Sequence, residues 1–327
     1  MGDEMLVRKG GAVLRDLFLI SQPDNPRYYA GQYFDTTGII VGAQFGTFVI
    51  PLHESGWSYT PARALAVSDT QIVISATIGH MSKTITIPIT VEDYNPTLTN
   101  NSWEQIAYAA QLGIANQLWS IGDIKSTDYG SWRIIGFDAD PLDAEDEKYN
   151  DTTYNANKKK AAITFQWVAP AGRNGMNLGN TNSGGWPSCN MNRTILPNLL
   201  ATLPVDMVSV MRLVDKYTCI GGTGTSNRTK YNTAANKLFL LGAYEVYSSP
   251  SGVGPIEASV CSQYNWYANI SNPQKGNYEE WLRSPHDPNS CSGGHFTCIK
   301  TNGSLDASGT SNINASIAKD YYPAFCI

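Results

Sequence analysis

Cysteine and histidine side chains cluster near the C-terminus, where they could support nucleophilic chemistry. Cys291, Cys298 and Cys326 lie close along the chain to His286 and His295. A thiol attacks as its thiolate, and a neighbouring imidazole can be the base that forms it. Closeness in sequence does not supply the spatial arrangement of a dyad, and Cys326 belongs to an apolar stretch. We therefore expect buried free thiols and no catalytic residue.

Two other stretches resemble ligand-binding loops. The acidic run 138–147 has oxygen ligands for calcium, but it lacks the spacing and the glycine of an EF-hand loop. The glycine-rich run 221–230 lacks the Gly-Lys-Ser/Thr of a phosphate-binding loop. We expect a solvated loop and a flexible loop, with no metal and no cofactor.

Composition limits the class of protein. The chain has 327 residues, of which 42% are hydrophobic and 16% charged, and its net charge is −5. This hydrophobic content is enough for real cores, and the charge offers no surface for nucleic acid or anionic lipid. No secretory signal or transmembrane span is recognisable, so no membrane insertion is expected.

The first part of the chain predicts a small β-sandwich over residues 11–92, after an N-terminal arm of residues 1–10. Short β-rich runs are separated by turn signals, and residues 84–91 alternate strictly between polar and apolar. Pro88 suits an edge strand. Residues 93–101 have the composition of a linker.

After the linker, the pattern predicts an α+β domain over residues 102–327. A helix opens at 102–106 with Asn101 or Ser102 as its cap, and Trp132 lies in a strand of the core. The further expected elements are strands at 132–137, 161–167 and 237–241, and helices at 196–203 and 206–214.

The C-terminal stretch combines apolar ends with a polar middle. Trp281 and Phe325 lie in apolar runs, at 281–285 and 322–327, that predict core strands. Asn, Ser, Thr, Gly and His dominate the residues between them. This pattern predicts a polar display surface at 285–323, fixed by two hydrophobic anchors.

The N-terminal part resembles the bacterial Ig-like repeats of surface and phage proteins. The residues that carry the resemblance are 29–38 (YAGQYFDTTG), 66–70 (AVSDT) and 85–91. The resemblance implies a spacer or attachment module without catalytic function.

The second part is similar to an uncharacterised domain common in gut bacteria and their phages. The similarity rests on 132–137, 184–188 (GGWPS), 237–241 (KLFLL) with Glu245, 281–285 (WLRSP) and 323–327 (PAFCI). The family's terminal Gly-Val-Arg-Pro appears here as Asp-Tyr-Tyr-Pro at 320–323. The domain's ending resembles the C-type lectin-like fold of formylglycine-generating enzymes and of the variable proteins of diversity-generating retroelements.

Together the two resemblances imply an all-β Ig-like sandwich followed by an α+β C-type lectin-like domain. The calcium-lectin triplets are absent from the second domain, and Cys291 and Cys298 are farther apart than the copper-binding cysteine pair of the enzymes. By analogy with the variable proteins, exposed ligand-binding positions are expected in the polar stretch and beside it. They are His286, Asn289, Ser290, Ser292, His295, Thr297, Thr301, Asn302, Ser304, Asp306, Ser308, Asn312, Asn314, Ser316, Asp320, Tyr321 and Tyr322, with Tyr264 and Trp266.

These implications predict a non-enzymatic adhesion protein, a phage virion component that binds a host cell-surface receptor, either protein or glycan. It would be made in the host cytoplasm and would assemble with other virion proteins as a homo-oligomer, with a trimer favoured. A bacterial cell-surface location is the alternative. Two other functions stay open: a structural decoration protein of the virion, and a cysteine-dependent enzyme related to formylglycine-generating enzymes.

Overall fold

Short β-strands make up most of the regular structure, and the few helices are brief. A computed structural model describes residues 13–24, 26–273, 276–287, 293–307 and 313–327. The chain forms two compact units, with the division between Tyr94 and Asn95. No helix within the described ranges has the length and apolar character needed to cross a membrane.

The first unit is built of three small sheets. Its strands are β1 (Leu14–Ser21), β2 (Arg27–Tyr29), β3 (Ile40–Phe45), β4 (Phe48–Pro51), β5 (Ser58–Thr60), β6 (Gln71–Ile78), β7 (Met81–Pro88) and β8 (Thr90–Glu92). The sheet orders are β1-β3-β4, β5-β6-β7 and β2-β8, the last pair being parallel. As predicted, β7 is an edge strand that ends at Pro88.

Alternation along the strands explains the core of this unit. In β6, Ile72, Ile74 and Ala76 are buried while the residues between them are not. They pack with Val41 and Leu17 from the other large sheet in one hydrophobic cluster. In the described part of this unit, every buried side chain is hydrophobic.

The second unit has a larger and less regular set of elements. Its strands are β9 (Ile124–Thr127), β10 (Gly130–Phe137), β11 (Ile163–Trp167), β12 (Gly172–Asn174), β13 (Val214–Cys219), β14 (Tyr231–Asn236), β15 (Glu280–Pro285), β16 (Phe296–Ile299), β17 (Leu305–Asp306), β18 (Lys319–Tyr321) and β19 (Ala324–Cys326). Its α-helices are α1 (Trp103–Gln111), α2 (Ala115–Leu118), α3 (Leu196–Leu200), α4 (Val205–Val210), α5 (Ala243–Val246), α6 (Glu257–Val260) and α7 (Asn265–Ala268).

Helix α1 begins where the sequence predicts and covers an aromatic core. Ser102 and Gln105 form a capping box, in which each side chain accepts a hydrogen bond from the other residue's backbone N–H. Trp103 meets Trp132 edge to face with ring centroids 5.5 Å apart. Phe325 stacks on Phe165 at 5.3 Å, which joins β19 to the sheet β19-β11-β10-β9.

A second sheet of the unit is ordered β12-β18-β15-β16-β17, and its strand β15 contains Trp281, whereas Phe325 lies in β19 of the other sheet. Arg173, Asp320, Glu280, Ile299 and Leu305 lie in one row across its five strands. Trp281 and Phe325 are both buried, as expected for residues of core strands.

Several expected elements differ from the structure, including the helix expected at 196–203, which ends at Leu200. Residues 237–241 are not a strand: Phe239 makes one isolated bridge to Ala324, and the Leu241 carbonyl accepts from the Arg283 backbone N–H. The helix expected at 206–214 ends at Val210, because Val214 begins β13. From Asn95 on, the expected linker belongs to the second unit, where the Asn101 side chain donates to the Asn95, Thr97 and Leu98 carbonyls.

Candidate functional site

A shallow groove of about 550 Å³ lies beside strands β12 and β18. The side chains of Arg173, Tyr278, Asp320 and Tyr322 line it, together with Pro170, Gly172, Gly276 and Asn277. Asp320 and Tyr322 belong to the predicted binding positions. Sequence reasoning missed Arg173 and Tyr278, which stand outside the stretch 285–323.

Arg173 and Tyr278 present a cation and an aromatic ring together. The Arg173 guanidinium carbon lies 4.4 Å from the centre of the Tyr278 ring. Its Nε donates to the Ala318 carbonyl at 3.2 Å, and Nη1 lies 3.9 Å from Asp320 Oδ1. Tyr278 remains 57% exposed. Its ring therefore contacts Arg173 and still has exposed surface that a ligand could contact.

Asp320 gives the groove a carboxylate held by the sheet. It lies in β18 opposite Arg173 and is almost fully buried. Burial raises the pKa of its carboxyl, and the charge of Arg173 lowers it by less. At Gly276 the groove depends on the absence of a side chain, because a Cβ atom there would collide with the Tyr322 hydroxyl.

Two turns of the predicted surface contain exposed residues. Thr301, Asn302 and Ser304 are exposed in the turn between β16 and β17, and Asn302 Oδ1 accepts from the Ser304 N–H at 3.0 Å. Ser316 is exposed and Asn314 half-buried in the turn before β18, where Asn314 Oδ1 accepts from the Ser316 N–H at the same distance.

The loop at 175–183 adds to this surface and was not predicted. The Asn177 N–H donates to the Ala315 carbonyl at 2.9 Å, and the Asn182 amide donates to the His295 carbonyl at 2.7 Å. Leu178 at its tip is 89% exposed. A single exposed leucine between Asn and Gly has no sequence signal that separates it from an ordinary loop residue.

The expectation of exposure is wrong for eight of the predicted positions. The structure buries His286, His295, Thr297, Asp306, Asp320, Tyr321, Tyr322 and Tyr264. Some of their polar atoms bond to the chain itself: Thr297 Oγ1 donates to the Ser284 carbonyl at 3.0 Å, and His286 Nε2 lies 2.5 Å from the Ala307 carbonyl oxygen. Irregular segments have backbone groups that need partners, so polar side chains are useful inside them.

Other predicted positions lie outside the described residues. These are Asn289, Ser290, Ser292, Ser308 and Asn312. Trp266 is half-buried, with the Arg133 guanidinium carbon 4.5 Å from its ring centre.

Beyond the groove, four buried charges form one network in the second unit. Arg283 donates to both carboxylate oxygens of Glu245, at 2.5 and 2.6 Å. Lys216 joins Glu245 at 2.9 Å and Asp140 at 2.5 Å. The two cations balance the two carboxylates, which is the condition under which buried charge is tolerated. The acidic run 138–147 is therefore partly interior, contrary to the solvated loop expected.

Tyr264 belongs to this network. Its hydroxyl donates to Asp140 at 2.8 Å and accepts from Lys216 at 3.0 Å. Burial alone would raise the pKa of Asp140, but the charge of Lys216 and the hydrogen bonds around the carboxylate outweigh it and lower the pKa. Burial would likewise raise the pKa of Glu245, but the charges of Arg283 and Lys216 outweigh this effect and lower the pKa. Both carboxylates are thus ionised at neutral pH.

The cysteines have the character of interior residues. The five described cysteines are free, as the sequence predicts, and Cys291 lies outside the described residues. Burial raises the pKa of the Cys298 thiol to about 12 and that of Cys326 well above its ordinary value. Both thiols are protonated at neutral pH. No three His, Cys, Asp or Glu side chains in the described ranges come together as a metal site requires.

Comparison with known protein families finds no family model that matches this chain, and a search of the curated proteins finds no match.

Proposed function

We propose that the chain is a non-enzymatic recognition protein that binds a host cell-surface receptor through its second unit. In this proposal the first unit is an Ig-like spacer, and the second is a C-type lectin-like domain of a phage virion, present as a homo-oligomer, with a trimer favoured, together with other virion proteins. Strands that are short, and joined by long polar segments, support this assignment.

The groove at Arg173 and Tyr278 is the observation that carries the proposal. Tyrosine and arginine dominate the energetics of protein interfaces, because each offers a large contact surface with a polar end. Here they form an exposed pair next to the Asp320 carboxylate. Strands β12 and β18 hold Arg173 and Asp320 opposite each other. A ligand would thus meet a preformed surface, which limits the entropy lost on binding.

The exposed turns at 301–304 and 314–316 extend the candidate surface. Each contains an Asn whose side chain accepts from the backbone N–H two residues later. This local bond fixes the turn while Thr301, Ser304 and Ser316 remain available to a ligand. Many modest contacts of this kind gain strength when several copies bind at once.

Cell binding by variants of the groove tests the proposal. We expect fluorescently labelled wild-type chain to bind intact cells of at least one isolate in a panel of gut bacteria, as measured by flow cytometry. Removal of a central aromatic anchor costs about 2 kcal/mol or more at many interfaces, so Tyr278→Ala should lower affinity at least about tenfold. Arg173→Ala should lower it by a similar factor.

Tyr33→Ala is the matched control, because Tyr33 is 64% exposed and lies in the first unit. It should bind like the wild type. Equal binding by wild type and Tyr278→Ala would contradict the proposal, as would the absence of binding to every isolate.

A further inference from the structure

A separate polar cavity of about 440 Å³ opens in the second unit. The segment after β10, the start of β13 and the residues before α7 form its walls. Its lining includes Asp138, Lys160, Asp215, Ser262 and Gln263. None of these residues lines the groove at Arg173, so the two sites are distinct.

The floor of the cavity is charged, buried and already satisfied. Lys216, Asp140, Glu245 and Tyr264 all line it, and each is at least nine-tenths buried. Their hydrogen bonds to one another hold them in place. Such a floor is preorganised, since a ligand would gain fixed polar neighbours without rearranging them.

One wall of the cavity adjoins a turn whose backbone is in an unfavourable conformation. Asp138 has φ of 52°, and Asn155, Ala156, Asn157 and Lys159 have φ between 45° and 59°. The left-handed region costs about 1 kcal/mol or more for a residue with a side chain. Asn155 Nδ2 bonds to Asp138 Oδ1 at 2.7 Å and to the Lys160 carbonyl at 3.0 Å, which ties this turn to the cavity wall.

Among the cavity's carboxylates, Asp215 differs in its neighbours. Asp138 pairs with Lys158, and Asp140 and Glu245 pair with Lys216. Asp215 instead faces another carboxyl group, that of Asp143.

Burial, followed by the hydrogen bond and the charge of Asp143, raises the pKa of Asp215 to about 6. Lys160 also lines the cavity, but no ion pair within the described ranges joins it to Asp215. Within the described ranges, Asp215 thus lines the cavity without a cation at ion-pair distance from its carboxylate.

We propose that the cavity binds a small primary amine, with the ammonium group against the Asp215 carboxylate. An ammonium group supplies three hydrogen-bond donors and the missing positive charge. Phe137, Pro141 and Val260 give the same cavity apolar wall for a short alkyl chain. A metal ion fits less well, because the described residues do not bring three ligands together.

Calorimetric titration of the full chain with 1,4-diaminobutane tests this inference. We expect saturable binding at pH 7.5 and at least tenfold weaker binding of 1,4-butanediol, which has the same chain length without charge. Because the pKa of Asp215 is raised, less of its carboxylate is ionised at pH 5 than at pH 7.5, so the apparent affinity for the diamine should fall over this range.

Two variants address the site by different routes. Asp215→Asn removes the charge and should abolish the preference for diamine over diol, while Asp128→Asn, at an exposed aspartate away from the cavity, should not. Ser262→Trp should obstruct the cavity, and Ser259→Trp, at an exposed serine that does not line it, is the size-matched control. Thermal unfolding of each variant verifies that it is folded. If Ser262→Trp does not fold, the result with Asp215→Asn decides the test.

Equal binding of diamine and diol would overturn the inference. Wild-type affinity in Asp215→Asn, or an affinity that does not change between pH 7.5 and pH 5, would overturn it as well.

Discussion

The two units bury different kinds of side chain, although both are built from short strands. In the described part of the first unit, the buried residues are hydrophobic throughout, from Leu14 to Tyr94. The second unit buries charged residues as well, among them Lys216, Arg283 and Glu257. Hydrophobic burial has no direction, whereas a buried ion pair requires its partners at defined distances and angles.

This difference follows from the backbone of each unit. Eight strands satisfy much of the backbone in the first unit. In the second, long irregular segments place carbonyl groups in the interior, and charged or amide side chains bond to them. Arg283 Nη1, for example, donates to the Leu240 carbonyl at 2.8 Å. Polar residues thus take part in the core of this unit.

The largest effect should come from breaking the charged network. Replacement Arg283→Met leaves Glu245 buried with one cation fewer, and loss of one partner of a buried pair costs about 3–5 kcal/mol. We expect this loss in the free energy of unfolding of the second unit. Urea unfolding followed by tryptophan fluorescence measures it, because all of the eight tryptophans except Trp57 lie after Asn95.

Arg63→Met is the matched control for this prediction. Arg63 pairs with Asp69 in the first unit, and more than half of its side chain is exposed. It should leave the fluorescence transition unchanged. An equal shift in both variants would remove the distinction between the two units.

A smaller effect should come from the protonation of Glu257. This residue is fully buried; Ser284 Oγ donates to it at 2.5 Å and the Cys219 N–H at 2.9 Å. Burial raises its pKa from 4.5 to about 7. Between these values the folded chain keeps a proton that the unfolded chain has lost. This contribution to stability is therefore complete below pH 4.5 and is lost as the pH rises through about 7.

Comparison of wild type with Glu257→Gln isolates that contribution. The wild type should lose on the order of 2 kcal/mol relative to the variant between pH 5 and pH 7.5. Burial and the charge of His286 lower the pKa of His295, which acts in the opposite direction but is common to both proteins. Glu104→Gln, at an exposed position of α1, should show no such difference from the wild type. Parallel pH profiles for wild type and Glu257→Gln would show that the buried carboxyl stays ionised.

The sequence predicts more of the hydrophobic framework than of the polar interior. β-rich composition identifies β6, the alternation at 84–91 identifies β7, the capping residue identifies the start of α1, and Trp281 and Phe325 are buried as expected. These signals are local, because they depend on neighbours a few residues away.

The charged network has no local signal, since its partners come from distant parts of the chain. Asp140 lies in an acidic run that resembles a surface loop, and its partner Lys216 belongs to a strand much later in the sequence. The runs 237–241 and 281–285, with Glu245, contribute Leu240, Arg283 and Glu245 to this network. These runs therefore take part in the interior scaffold of the unit. A polar composition alone cannot separate a solvated residue such as Ser316 from a buried, bonded one such as Thr297.

The smallest effect on stability should come from substitution of Leu178. The comparison here is between two leucines of the second unit, one exposed and one buried. Leu178 is 89% exposed, whereas Leu240 is fully buried. Leu178→Ser should change the free energy of unfolding by less than about 0.5 kcal/mol, as most surface substitutions do. Leu240→Ser should cost at least about 2 kcal/mol, because it combines a cavity with a buried hydroxyl. Urea unfolding of the two variants measures both values.

Cell binding of Leu178→Ser then extends the comparison from stability to function. An exposed leucine that does not stabilise the fold, on a loop bonded to the residues around Ala315, is suited to contact another molecule. If the variant unfolds like the wild type but binds cells more weakly, the receptor-binding face includes the loop at 175–183. If binding is unchanged while Tyr278→Ala abolishes it, the face is confined to the groove. A large loss of stability would instead place Leu178 among the residues that hold the unit together, contrary to its exposure.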